Sequence, residues 1–510
     1  MLKKLFGILA ILIFSASLTS TSALCSEKPQ YGGTVRFIYH FSPAINIGWP
    51  QDTHANADEY CMNFVYTEPL VLYKADTSVD PWLATSWDIA TDYKSITFHL
   101  RKGVKFHDGT DFNADAVKFN FDAAIKAGKH NTTKWESVEV LDDYTVRLNL
   151  KEFQNTIWAD LMASESMIVS PTPIREKGVD YARENPCGTG PFKFVGYARD
   201  EYVKFEKNPD YWQPGKPYLD KIEFYTVVDE MTYQNVLKAG KGEILGLVGG
   251  KTMSDMKKAG FLAFPELGGT DFMSFDTANA DSKFSDIRVR QAMEHAINKK
   301  AIADALGHGF SYPNNQLPSP FLPHHDPSLP QLGYDLEKAK ELLTAAGFPN
   351  GFNTKWITPP WFGDAPLIIQ ESLKKIGVNL VLEPVTNAKY WEIARTGWKD
   401  AILAGSVAPD PNFAANFRRT FPPYGNLHVS VKYPDGIKEL LDKALAATDP
   451  AVQKQLNFDL VRKIDDDKTF VFYVTNCRGY VVAPHVHNGH FFEGAQYNYF
   501  SPADLWLSKK

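Results

Sequence analysis

The chain has 510 residues, more than one hydrophobic core organises, since single cores stop growing at about 250–300 residues. Apolar residues make 44% and charged residues 22%, the balance of a soluble globular protein. A formal net charge of −6 and a pI near 6.1 give no electrostatic footprint for a nucleic-acid partner.

The chain opens on a leader over residues 1–25. Lys3 and Lys4 precede an apolar run, Leu5 to Phe14, and a small polar stretch follows, ending in Ala23, Leu24 and Cys25. A membrane span needs about 20 apolar residues, so this run reads as the hydrophobic part of a signal peptide. A cut after Cys25 sets Ala23 and Cys25 at the small-residue positions. A lipid-attached Cys25 is the alternative, with Ser22 standing where such signals usually carry Leu. The expectation is an exported periplasmic protein, with removal of Cys25 favoured. Cys61, Cys187 and Cys477 then remain. An odd count leaves at least one thiol free or paired outside the chain, and spacing does not say which pair forms.

Thr34 to Tyr39 is rich in β-branched and aromatic residues and predicts a strand. Residues 40–58 read as a polar loop, and 59–73 as buried. Ile96, Phe98 and Leu100 alternate with polar residues in a strand. Asn113 or Asp111 caps a helix beginning near Ala114. Residues 138–150 form a hairpin around Asp142 and Asp143. The breaker cluster from Pro186 to Pro191 is a candidate lobe boundary, followed by a second hairpin. Asp286 caps one helix running through Ala296 and Ile297 to Leu306. Residues 307–333 are a Pro-rich loop, and Asp335 caps a helix that Gly347 stops. Helices are predicted over 365–376, 434–447 and 452–466, then two separate strands, Phe470 to Val474 and Tyr480 to Ala483. Strands and helices in separate runs suggest α+β lobes with some α/β character.

A search for catalytic chemistry finds no G-x-S-x-G and no H-E-x-x-H. The segment Gly246 to Thr252 imitates a phosphate loop with the wrong spacing and reads as a flexible loop. His324-His325-Asp326 and His485-x-His487-x-x-His490 read as exposed loop histidines, with a metal site as the lesser reading. Asp465, Asp466 and Asp467 read as a solvated helix end. No residue set calls for a cofactor.

Trp87 to Val117 settles the class. Its core is Thr97-Phe98-His99-Leu100-Arg101, Val104-Lys105-Phe106-His107-Asp108-Gly109 and Asn113-Ala114-Asp115-Ala116-Val117. This resembles the signature of the family 5 extracellular solute-binding proteins, receptors of peptide and nickel ABC importers. Gly103 stands where an acid is usual, and Asp111 replaces the usual Pro. Further blocks agree in order: Tyr66-Thr67-Glu68-Pro69-Leu70, Asn185 to Phe192, Asn208 to Trp212, Asp286 to Ala292 and Tyr334 to Phe348.

The resemblance implies a mixed α/β, bilobal periplasmic-binding-protein fold with an extra subdomain in the first lobe. The implied division is 1–25 signal peptide, 26–70 and 187–275 lobe I, 71–186 subdomain, 276–475 lobe II, and 476–510 returning to lobe I. It also implies a monomeric, non-enzymatic receptor that closes over a small molecule or short peptide and delivers it to ABC importer membrane subunits. Peptide receptors hold the ligand's amine with an Asp shortly before an Asp-Pro pair, here Asp410-Pro411. The preceding Ala401 to Pro409 has no acid, which disfavours free-amine peptides, although Asp410 could substitute. Arg418 and Arg419 would suit a carboxylate or phosphate if they face the cleft, and are otherwise surface residues. Trp49, His54, Trp135, Trp361, Tyr390, Trp391, Ser406 and Asn412 are the remaining candidate wall residues. A nickel or metal-chelate receptor of the same fold is the alternative, weakened by Met167 where nickel-type members tend to place arginine. An exported hydrolase is the third reading, with no residues to name.

Overall fold

The computed structural model describes residues 28–39, 47–52, 57–74, 76–488 and 501–509. The leader, Cys25, His54 and His490 lie outside them.

Among the described residues an eleven-stranded sheet runs through both lobes. On the first lobe, Thr34–Tyr39 lies parallel to Lys221–Thr226 and Ile244–Gly249, and the hairpin strands Phe192–Ala198 and Tyr202–Lys207 extend that edge. On the second, Phe352–Thr358 lies parallel to both Val378–Pro384 and Ile402–Val407. Two long antiparallel strands, Leu262–Phe275 and Phe470–Val482, join the halves, paired from Leu262↔Val482 to Ser274↔Phe470. The register shifts between Leu267 and Thr270, and from Thr270 onward the first strand also pairs with Ile402–Val407. The passage between lobes therefore lies at Gly268–Gly269, inside both strands, and the expected mixed α/β bilobal architecture is what the chain forms.

Phe470–Val482 is one strand, not two. Its middle, Thr475 to Gly479, lacks an apolar run because only Cys477 there joins a core, while Asn476 and Arg478 are polar positions where the strand crosses the junction. The expected single helix after Asp286 is likewise two, Ile287–His295 and Lys299–Gly307, because Asn298 turns out of the helix and its side chain caps Ala301 N at 3.0 Å. The segment Gly246 to Thr252 is no flexible loop. It ends the buried strand Ile244–Gly249 and starts the helix Gly250–Lys258, where Leu245 and Val248 share a core with Met253 and Met256.

The subdomain is a four-stranded sheet in the order Ala84–Ile89, Ser95–Leu100, Thr145–Leu150, Trp135–Asp142. Ile96, Phe98 and Leu100 point into its core as their alternation predicts. The helix Ala114–Ala127 covers that face, capped by Asn113 and ended at Gly128 with φ 61°.

The motif blocks converge on one buried carboxylate. Glu68 accepts from Trp82 Nε1 at 2.9 Å, Thr189 Oγ1 at 2.7 Å, Tyr211 OH at 2.9 Å and Trp212 Nε1 at 3.0 Å. The acid of Glu68-Pro69-Leu70, the Thr of Gly188-Thr189-Gly190 and the aromatics of Asn208 to Trp212 are thus one site of packing. A Cβ at Gly188 would meet the Tyr66 carbonyl oxygen at 2.2 Å, so only glycine fits there. In the second lobe Arg290 is equally committed, donating to the carbonyls of Phe284, Ser285, Asp467 and Lys468.

Two expectations of exposure fail. His324 is buried, with its Nδ1 3.4 Å from the Phe413 amide. Asp465 is buried against Lys468, which also reaches Glu294, whereas Asp466 stays exposed as a solvated helix end requires.

Candidate functional site

The strands of the second lobe fix where its chemistry gathers. Phe352–Thr358, Val378–Pro384 and Ile402–Val407 run the same way, so Thr358, Pro384 and Val407 share one edge of the sheet. In open α/β sheets ligands bind beyond the carboxyl ends of the strands. The segments leaving this edge carry Trp361, then Tyr390 and Trp391, then Asp410 and Asn412.

Asn412 caps the helix Phe413–Thr420, which carries Arg418 and Arg419 in its last turn. Arg419 donates to Asp410 Oδ2 at 3.2 Å and to Asn416 Oδ1 at 3.3 Å. Asp410 also accepts from the Asn412 amide at 2.8 Å. Burial raises the Asp410 carboxyl, against the pull of Arg419 and the amide bond. Asp410 is therefore committed to its own lobe through Arg419.

The opposing wall is the first-lobe segment from Gln154 to Glu165. Arg418, only 6% exposed, donates to Gln154 Oε1 across the junction. Asn412 Nδ2 donates to Asn155 Oδ1 at 2.8 Å. Asp160 sits behind these contacts and accepts from Thr156 Oγ1 at 2.8 Å. Burial pushes its carboxyl up to about 7, while the nearby Arg418 guanidinium and Thr156 pull it down. Glu165 is also raised by burial, held by Asn131 Nδ2 at 3.0 Å. The junction thus sets two guanidinium groups on one lobe beside buried carboxylates from both.

The passage strands supply the floor. Asp271 accepts from Asn476 Nδ2 and from the Ser406 side chain, and burial pushes it up to about 7. A Cβ at Gly269 would meet Ser406 Oγ at 2.2 Å, so glycine lets the strands cross this close.

Of the sequence-predicted wall residues, Asp410, Asn412, Arg418 and Arg419 come together, and Ser406 lies at the passage. Arg418 and Arg419 are half of the junction rather than a surface pair. Tyr390 is a support: it is buried, donates from its hydroxyl to Ala404 O at 2.8 Å, and is flanked by Trp361 at 5.6 Å and Trp391 at 4.9 Å. Those two rings stay 41% and 37% exposed. Trp135 is a correction. It is 0% exposed in the subdomain core, 4.8 Å from the Phe121 ring, and reaches no cleft. Trp49 is also a core residue, edge-on to Phe119 at 6.2 Å. His54 is outside the described residues. Sequence reasoning missed Gln154, Asn155, Asp160, Asp271 and Asn476. Only the Gly268-Gly269 pair hinted at the passage.

Residues 78–426 match the bacterial extracellular solute-binding proteins, family 5 Middle. This chain belongs to that family. The family 5 chain is 32% identical to Heme-binding protein A of Haemophilus influenzae over 76% of its length and 75% of that protein's. It is 30% identical to the Glutathione-binding protein GsiB of Pectobacterium atrosepticum, over 77% and 79%. Among solved structures it is similar to the ABC transporter-associated periplasmic binding protein DppA from Helicobacter pylori in complex with peptide STSA. That likeness has TM-score 0.75 and 26% identity, and covers 94% of this chain and 99% of that one. A family 5 chain is a solute-binding receptor that serves an ABC importer, and the junction just described is where its two lobes meet.

Proposed function

We propose that this receptor is exported to the periplasm, closes its lobes over a small solute bearing a carboxylate, and presents the closed form to the membrane subunits of an importer. The observation that carries the solute class is the pair Arg418 and Arg419 on one helix at the carboxyl edge of the second lobe, with Arg418 bonded to Gln154 across the junction and both guanidinium charges acting on the buried Asp160. Planar guanidinium groups match carboxylates in a two-pronged way that lysine does not. The relatives' names cover heme, glutathione and a peptide, solutes that share carboxylates. With no acid in Ala401 to Pro409 and Asp410 tied to Arg419, recognition rests on the solute's acid more than on a free amine.

In this reading Trp361 and Trp391 offer rings to the solute, Ser406 and Asn412 supply hydrogen bonds, and Tyr390 holds the rings from behind. The protein works as a monomer and performs no covalent step. Lobe I takes 26–70, 187–268 and 476–510, the subdomain 71–186, and lobe II 269–475, with bending at Gly268–Gly269; the boundary shifts from the expected 275/276 because Thr270 to Phe275 pair with Ile402–Val407. Residues 1–25 leave with the leader, Cys25 included. Met167 lies buried in the first-lobe core, which removes support from the nickel-type alternative.

A thermal-shift screen of the mature protein tests this. Saturation at 100 times the dissociation constant adds about 2.7 kcal/mol to stability. Glutathione, short peptides, hemin or small organic acids are expected to raise the melting point. If none does while a nickel chelate or a neutral sugar does, the solute class is wrong.

A further inference from the structure

Asn155 spends almost every polar group it has on the other lobe. Its amide donates to Leu445 O at 2.9 Å. Its side-chain Nδ2 donates to Ala444 O at 2.7 Å and to Ala447 O at 3.0 Å. Its Oδ1 accepts from Asn412 Nδ2 at 2.8 Å. The three carbonyls belong to the C-terminal end of the helix Ile437–Ala446.

That helix end needs such a partner. The last carbonyls of a helix have no intrahelical donor, and many helices satisfy them with a left-handed glycine or asparagine just past the end. Here the chain continues Ala446-Ala447-Thr448-Asp449-Pro450. Ala447 is extended at φ −64° and ψ 126°, and the next helix starts at Pro450. Leu445 and Ala444 are buried, so water is a poor substitute while the lobes touch.

We infer that Asn155 is the latch of the closed receptor: it caps the helix Ile437–Ala446 from the opposite lobe, and so sets how readily the lobes stay shut. The inference rests on the two-lobe receptor reading but not on any particular solute. Closing exchanges water on four groups for fixed partners, and opening releases all four at once. Gln154, the adjacent residue, binds Arg418 on the neighbouring helix, so the two-residue segment grips two second-lobe helices together. Because affinity scales with the population of the competent state, the latch also tunes solute affinity without touching solute.

The test needs no ligand. Asn155→Ala removes the side-chain bonds. Asn155→Asp keeps the shape but turns a carboxylate oxygen toward carbonyl oxygens at the negative end of a helix. Net hydrogen bonds of about 0.5–1.5 kcal/mol each predict a rise in the open:closed ratio of roughly tenfold or more for Asn155→Asp, and less for Asn155→Ala. Small-angle scattering of the ligand-free mature protein reads that ratio, and hydrogen exchange reads the Asn155 amide in the parent. Expected are a larger radius of gyration in both variants, an unchanged melting point, and a protected Asn155 amide. A side chain that merely supports local packing would lower the melting point without moving the scattering. Parent-like scattering from both variants, or fast exchange of the Asn155 amide in the parent, overturns the inference. Scattering that opens as predicted, in a parent protein that binds no carboxylate solute, would instead count against the solute reading alone, since weaker binding in the opened variants is what the latch predicts.

Discussion

The Thr189 hydroxyl donates to Glu68 Oε2 at 2.7 Å, joining segments 121 residues apart. Trp82, Tyr211 and Trp212 aim at the same carboxylate, and none of these contacts needs it protonated. Burial pushes Glu68 up to about 7, with all four donors pulling the other way. Glu68→Gln substitutes a donor for one acceptor and sets two donors face to face. A loss of about 2–3 kcal/mol is expected, because a buried donor left without an acceptor carries its full desolvation cost. Urea unfolding measures it, and a loss below about 0.5 kcal/mol would mean the four donors are not organised by charge.

The passage between lobes predicts a coupled pair. Gly269→Ala must push Ser406 Oγ away and so break its bond to Asp271. A cost of about 1–2 kcal/mol is expected in the parent and a smaller one in a Ser406→Ala background, where the obstructing oxygen is gone. A double-mutant cycle by thermal or urea unfolding checks this. Strict additivity would place Ser406 outside the crossing.

His428 gives the pH dependence. Its ring is buried among Phe272, Phe421, Phe470 and Trp398, and burial holds it down to about 3. Below about pH 6.5 the unfolded chain takes up a proton that the folded chain refuses, so stability present above that pH is lost as pH falls. Between pH 8 and pH 5 the parent is expected to lose on the order of 2 kcal/mol more than His428→Asn. Asn also tolerates the left-handed backbone here, φ 59°. Glu68, Asp160 and Asp271, pushed up to about 7, titrate with the opposite sign. The readout is therefore the difference between parent and variant. Parallel stability curves would contradict the neutral buried imidazole.

Local signals carried much of the fold. The alternation at Ile96, Phe98 and Leu100, the caps at Asn113, Asp286 and Asp335, and the Asp142 hairpin each follow from neighbours in sequence. The junction does not. Thr475 to Gly479 looks like a break because only Cys477 there joins a core, while its polar neighbours lie where the strand crosses between lobes. Asn155 looks like any loop asparagine, since its partners lie near residue 445. Trp135 and Trp49 show the limit of composition: a large ring suits a cleft wall and a core equally, and packing decided both for the core. Arg418 and Arg419 were ambiguous for the converse reason. Only the sheet edge turns that helix end toward the other lobe.

The most direct test of the receptor account is a titration of the mature protein and its Arg418→Gln variant with glutathione, a short peptide and hemin, alongside forms with the carboxylates amidated or esterified. The account predicts that the parent binds at least one free acid, that blocking the acid abolishes binding, and that Arg418→Gln weakens it by roughly tenfold to a hundredfold, the worth of a charge-assisted hydrogen bond. Equal affinity in parent and variant, or equal affinity for blocked and free acids, would contradict it.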